Sequence, residues 1–311
     1  MPGQDTAAYD EVLKIVYEGG IRELLPTKVK TLKLFENRDA KDWGGKFVEY
    51  PARIGRNQGS GWGSELGNLP AAGKQRYTDW RIPMRFQYGR ITLSAQVMKA
   101  SQGNRHAFAS AMSQEMDGII TDMTADRGRA MLYDGRGILA LVNGTSTGTT
   151  VTVDAPGGVA GATNGARFIN PGMVLAGINP ATGAIRANTL HTVSTVAAAG
   201  TSYTATAAVA GITDNDYLVR AMHSTITDAA DTSYQKEFTG LLGLVDDGTY
   251  LATLHGVNRT TFPITQSTVI GSVTALSADV IQRAIDLADQ RGDGDTSDLI
   301  MHHSVRRAYI A

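Results

Sequence analysis

The residues best equipped for chemistry cluster near the carboxyl end. They are Asp293, Asp295 and Asp298 in RGDGDTSD, and the adjacent pair His302-His303. A D-x-D spacing opens a calcium loop, whose carboxylates converge on one cation. Such a loop closes with a bidentate glutamate at position twelve, and counting from Asp293 that position holds Ser304. Loop solvation and helix termination are the expected roles. Adjacent histidines on a strand point to opposite faces, and no third ligand stands at a zinc spacing. The glycine-rich GGVAGATNG at 157–165 has neither G-x-G-x-x-G nor G-K-[ST], so it reads as a β-turn loop. Asn143 and Asn258 open N-x-T sequons. These matter in a secreted chain, and MPGQDTAAYDEVLK lacks the basic-then-apolar pattern of a signal peptide. No H-E-x-x-H and no paired-carboxylate arrangement is present. The absence of cysteine excludes disulfides, thiolate metal sites and a cysteine nucleophile. The sequence therefore offers no catalytic set, no cofactor-binding set and no metal-ligating set. A structural role is expected.

The other conspicuous stretch is RNQGSGWGSELGNLPAAGKQRYTDW, from Arg56 to Trp80. A phosphate-binding loop, a catalytic lid and an arm gripping another subunit would all suit its glycines and tryptophans. From Arg53 to Arg90 there are seven basic and two acidic residues, inside a chain of net charge −1. A local excess of this kind implies an acidic partner surface. The expected contacts with that partner are Arg56, Trp62, Glu65, Lys74, Arg76, Trp80 and Arg81.

The flanking elements favour the arm. KFVEYPARI (46–54) reads as a strand, and Pro51, which cannot donate to a ladder, makes it an edge strand. On the return, Thr78, Trp80, Ile82, Met84, Phe86 and Tyr88 alternate with Asp79, Arg81, Pro83, Arg85 and Gln87. That period of two predicts a strand. Ile91, Leu93, Ala95 and Val97 continue it with shifted parity, which predicts a bend at Gly89. The loop is then the tip of a projecting hairpin.

The 311 residues are 42% hydrophobic and 19% charged, enough for a globular core without a polyelectrolyte signature. No apolar run is long enough to cross a membrane, so the chain is expected in the cytoplasm. An amphipathic helix is predicted over 5–18, with Tyr9, Val12, Leu13, Val16 and Tyr17 on one face. TKVKTLKLF (27–35) follows as a solvated edge. A long helix is predicted over 104–132, on the recurrence of Phe108, Met112, Met116, Ile119, Met123, Ala130 and Met131. From 143 to 235 the composition turns to threonine, alanine and glycine, with five aspartates and three arginines as its only Asp, Glu, Lys or Arg residues. TTVTV, MVLAGI, TLHTVSTV, SYTATAAV and DYLVR are separated there by DAPGG, NPATG and TDND, which predicts an all-β insertion. EFTGLLGLVDDGTY then supplies strand and turn. SADVIQRAIDLADQRG is a helix capped by Ser277 and stopped by Gly292, with Val280, Ile281, Ala284, Ile285 and Leu287 on one face. DLIMHH reads as a buried strand. SVRRAYIA opens a helix still running at Ala311, from which a continuation of the natural chain is expected.

This order of features resembles the major capsid proteins of tailed bacteriophages, with their Hong Kong 97-type fold. The resemblance is carried by WRIPMRFQYGRITLSAQVMKAS, NRHAFASAMSQEMDGIITDMTADRGRAMLYDGRG, FTGLLGLVDDGT and SADVIQRAIDLADQRGDGDTSDLIMHHSVRRAYIA. It covers most of the chain outside 143–235. It implies an α+β fold, with 1–44 as N-terminal arm, 45–88 as extended E-loop hairpin and 89–134 as peripheral domain with spine helix. Residues 135–311 would be the axial domain, interrupted by the 143–235 insertion. It further implies self-assembly as pentamers and hexamers into an icosahedral shell around the double-stranded DNA genome, which the inner face would contact without sequence specificity. Scaffolding, portal and decoration proteins are the implied further partners. The implied site is the virion, with assembly in the host cytoplasm. Two departures stand out. No segment returning to the peripheral sheet is found before Ala311, and no lysine–asparagine cross-linking pair can be placed. An encapsulin-like compartment shell, an enzyme with a glycine-rich lid, and a β-rich decoration or tail protein are the alternatives.

Overall fold

A computed structural model describes residues 47–310, apart from 93, 97–104, 162–163, 224, 227, 272, 274–275, 293–295 and 297; for 105–114 only the backbone is described. The helix predicted over 5–18, the segment 27–35, Leu93, Val97, Asp293 and Asp295 lie outside the described residues. The class is α+β. The described residues fall into two units, one holding 88–126 and the other holding 47–87 with 127–310.

In the larger unit, β1 (Phe47–Gly55) and β2 (Arg76–Pro83) form a two-stranded antiparallel ribbon. Val48 faces Ile82, Tyr50 faces Trp80 and Ala52 faces Thr78. Both strands are edges, so Pro51 removes no ladder bond that another strand would need. A register shift between Arg53 and Gly55 ends the pairing, and Arg76 lies against the bare Gly55. The strand period holds only to Pro83. Residues 84–92 are not strand, and Phe86 and Tyr88 are exposed. Alternation alone does not make a strand where no neighbour offers a ladder.

Helix α1 (Arg105–Leu132) matches the predicted span. In the smaller unit its side chains Ile119 and Met123 fill the space beside Gly89, where any Cβ would lie within 3 Å of them. The bend predicted at Gly89 is thus a point of close approach between backbone and helix.

The threonine-rich region is a closed barrel of six antiparallel strands. They are β3 (Ile138–Val142), β4 (Thr150–Asp154), β5 (Val174–Ile178), β6 (His191–Val196), β7 (Ser202–Ala205) and β8 (Tyr217–Arg220), in the order β3-β4-β7-β6-β5-β8. Five of them coincide with the strands read from sequence. The first, ILALV, lies outside the predicted β-rich region: the barrel begins at Ile138, ahead of the predicted boundary at 143, because β3 pairs with both β4 and β8 to close it. Closure leaves no unpaired edge. Val142, Val151, Val153, Leu175, Val193, Tyr203 and Leu218 fill the interior. β5 and β8 are covered on their outer side too, where Ala176, Ile178 and Val219 pack with Ile226 and Tyr234. These two strands therefore read as continuous apolar runs, whereas β4 alternates threonine out and valine in.

After the barrel, α2 (Leu241–Leu244) is a single turn, not the strand expected there, and β9 (Thr253–Leu254) with β10 (Val257–Asn258) makes a minimal hairpin. Helix α3 (Ala278–Gly292) begins as read, with the Val280 N–H bonded to the Ser277 hydroxyl at 3.3 Å. Described residues of DLIMHH form no strand. Leu299 and Ile300 are exposed, and α4 (His303–Ile310) starts at its last residue. An apolar run without a sheet to join stays irregular.

Candidate assembly surface

The ribbon is built from its root. Arg81 stands opposite Glu49, and its Nε donates to the Glu49 carboxylate at 2.7 Å. This bond, then the Glu49 charge, holds the Arg81 guanidinium above its ordinary pKa. Arg81 also lies over the Phe47 ring at 5.6 Å and 3.8 Å from Asp79. Its charge is thus engaged within the ribbon. On the other face Trp80 is half-buried, with its ring 6.0 Å from that of His255. The Arg81 N–H donates to the His255 carbonyl at 2.8 Å. The turn between β9 and β10 therefore grips the ribbon by backbone and by ring.

That turn is itself pinned. Arg259 is fully buried and donates to the Asp246 carboxylate at 3.1 Å, to Leu251 O at 3.1 Å, and to Gly243 O and Leu244 O at 2.9 Å. The same Asp246 oxygen accepts the N–H groups of Tyr250 and Leu251. A buried charge tolerates such a place only when paired and hydrogen-bonded. His255 beside it is held below the ordinary imidazole pKa by burial, and then by the positive charges of Arg259 and Arg85.

The tip runs from 56 to 75. Its two limbs stay together. A Cβ at Gly73 would fall on the Asn57 side chain, one at Gly61 would touch Pro70, and Gly59 lies beside Ala71 and Gly73. The Asn57 Oδ1 accepts the Gly59 N–H at 2.7 Å. At the far end the Gly67 N–H reaches the Ser64 carbonyl at 2.9 Å, a tight turn with Leu66 at φ 63°. The result places Trp62, Leu66 and Leu69 in solvent, at 106%, 103% and 91% relative exposure. Arg56, Glu65, Lys74 and Arg76 are exposed along the same tip and stem. Arg56, Trp62, Glu65, Lys74 and Arg76 therefore share the projecting part, while Trp80 and Arg81 sit at the root. Sequence reasoning missed Leu66 and Leu69, although LPAA beside a glycine turn has nothing in the hairpin to pack on.

The other chemical candidates are engaged locally. The His302 Nδ1 is 2.7 Å from the Ser304 hydroxyl, and both His302 and His303 are exposed. Among the described residues no group of three His, Asp or Glu converges as a metal site. One motif escaped the sequence reading: Gly144–Gly148 is a G-x-S-x-G. Its Ser146 is buried and donates to the Thr150 carbonyl at 3.0 Å in a loop from strand to strand. A nucleophile elbow requires a turn from strand to helix with an exposed hydroxyl. Inside the barrel His191 stacks on Tyr203, with rings 5.5 Å apart. An open cavity of about 400 Å³ is lined by Asn179, Thr182, Ile185, Arg186 and Gly211, and Arg186 there is paired with the buried Asp216 at 2.7 Å. Among the described residues no helix is long and apolar enough to cross a membrane.

No family model, curated protein or solved structure matches the chain.

Proposed function

We propose that this chain is a shell-forming subunit, the major capsid protein of a tailed bacteriophage with a Hong Kong 97-type arrangement. In this reading the β1–β2 ribbon is the E-loop, α1 the spine helix, and strands β4 to β8 the insertion in the axial domain, with β3 just before the insertion completing the barrel. The observation that carries the proposal is the ribbon tip, with three large apolar side chains in solvent on a basic stem. Apolar groups so placed mark a surface made for a partner. A second observation agrees with it. From Thr260 to Ile310 no described residue is buried, although α3 and α4 carry apolar positions at helical spacing. Subunits of a shell leave such faces for their neighbours and sum many modest contacts. The partners would be further copies of the chain in pentamers and hexamers, packaged double-stranded DNA, and scaffolding, portal and decoration proteins. The location would be the virion.

Sedimentation of the purified protein tests the reading. A shell subunit yields particles that pellet far ahead of a 33 kDa monomer. Nuclease-protected DNA in particles from infected cells identifies a capsid, and protein cargo in their place identifies an encapsulin-like compartment. A monomer at every concentration overturns the proposal.

A further inference from the structure

The open cavity of the barrel is lined largely by the excursion between β5 and β6, whose backbone is fixed by hydrogen bonds. The Asn179 N–H donates to the Ala184 carbonyl at 2.9 Å, and Ile185 bridges back to Ile178. The Arg186 N–H donates to the Gly177 carbonyl at 2.8 Å, and the Arg186 carbonyl accepts the Thr189 hydroxyl at 2.7 Å. Asp216 is fully buried. One of its oxygens accepts the Thr213 N–H at 2.8 Å and the Thr213 hydroxyl at 3.1 Å, and lies 2.7 Å from the Arg186 Nε. Asp216 therefore holds the guanidinium by its Nε side. Among the described residues no group accepts a hydrogen bond from the two terminal nitrogens of Arg186, the Asn179 amide nitrogen or the Thr182 hydroxyl. These three side chains line the cavity of about 400 Å³ together with the apolar Ala184, Ile185 and Ala187.

We propose that this cavity binds a carboxylate carried on a small organic skeleton, with Arg186, Asn179 and Thr182 as the donors and Asp216 as the residue that positions Arg186. The site goes beyond the shell reading and does not depend on it. The unengaged side-chain groups are donors, whereas the acceptors are already used. The Asn179 Oδ1 accepts the Ala181 N–H at 3.0 Å, and the Thr182 oxygen accepts the Ala184 N–H at 3.4 Å. A carboxylate only accepts, and its two oxygens match the guanidinium fork. A neutral hydroxyl also needs an acceptor for its own proton, which these side chains do not offer. Arg186 is the one charged side chain in the lining, and it shares its charge with Asp216. A monoanion therefore suits the cavity better than a phosphate dianion, for which no second cation stands near. Ala184, Ile185 and Ala187 give the skeleton an apolar wall.

Ligand-observed saturation-transfer NMR on the full chain tests the site, and it works on monomers and on large particles alike. The probes are butyrate and glucuronate at millimolar concentration, each beside its methyl ester. Transfer to the acids and not to the esters is expected. Transfer to butyrate alone identifies a small aliphatic acid as the ligand class, and transfer to glucuronate identifies an acidic saccharide. Arg186→Lys keeps a cation beside Asp216 but removes the fork, and is expected to weaken binding about tenfold, the loss of one charge-assisted hydrogen bond. Ala187→Trp fills the cavity with the ion pair intact and is expected to abolish the transfer. Arg306→Lys, in α4, is expected to leave it unchanged. Equal transfer to acid and ester, undiminished binding in either cavity variant, an equal loss in Arg306→Lys, or no transfer to either acid would overturn the site. None of these results touches the shell reading, which sedimentation tests separately.

Discussion

At the scale of residues, two buried polar groups make testable commitments. The His191 Nδ1 lies 2.6 Å from the Thr189 carbonyl and must donate to it, which leaves Nε2 to accept from the Tyr203 hydroxyl at 2.7 Å. Burial holds the imidazole below its ordinary pKa, and the bond to Thr189 opposes this only partly. The unfolded chain therefore binds the proton first, near the ordinary value of about 6.5. The stabilisation is complete above that pH and declines as pH falls from there toward the depressed folded value. Calorimetry is expected to show a lower unfolding temperature at acidic pH, with a smaller loss in His191→Gln. Equal pH slopes in the two proteins would contradict this. The second group is Arg259. Arg259→Met leaves the Asp246 carboxylate buried and uncompensated, and is expected to cost about 3–5 kcal/mol in urea denaturation. An unchanged midpoint would remove Arg259 from the role assigned to it. Neither residue was legible as important. A histidine and an arginine in isolation give no sign of burial, and their partners lie at other points of the chain.

At the scale of elements, legibility followed local periodicity. The ribbon, α1, α3 and five barrel strands were readable because propensity, alternation and turn residues agree there. Residues 84–92 and 298–302 were misread, since an apolar pattern cannot reveal whether a ladder partner exists. For the candidate site, Trp62 and the basic stem were visible in the sequence. Leu66, Leu69, and the engagement of Arg81 by Glu49 required the register. That register also changes which substitution reports on assembly. Arg81→Glu would set two carboxylates opposite each other in the ribbon, so it would perturb the root itself. Arg76 has no such partner across the strands, because it faces Gly55. Glu49→Lys is expected to speed hydrogen exchange of β1 and β2 while leaving the barrel amides protected. Equal protection of the ribbon in the two proteins would show that the Arg81–Glu49 pair does not hold the root. The barrel should be autonomous, because closure satisfies its strand edges and its core is internal. A fragment of residues 134–235 is expected to melt cooperatively with a β-sheet circular dichroism spectrum, and a random-coil spectrum would contradict that independence.

At the scale of the whole molecule, the chain spends its apolar residues unevenly. The barrel is packed to closure, whereas the ribbon tip and α4 present apolar side chains outward. These features support the proposed reading of a subunit completed by its neighbours. Electron microscopy of the purified, concentrated chain tests that claim most directly. The account predicts closed shells hundreds of ångströms across, on the order expected when a standard-sized interface repeats over many copies. Fields of isolated monomers at every concentration would contradict it.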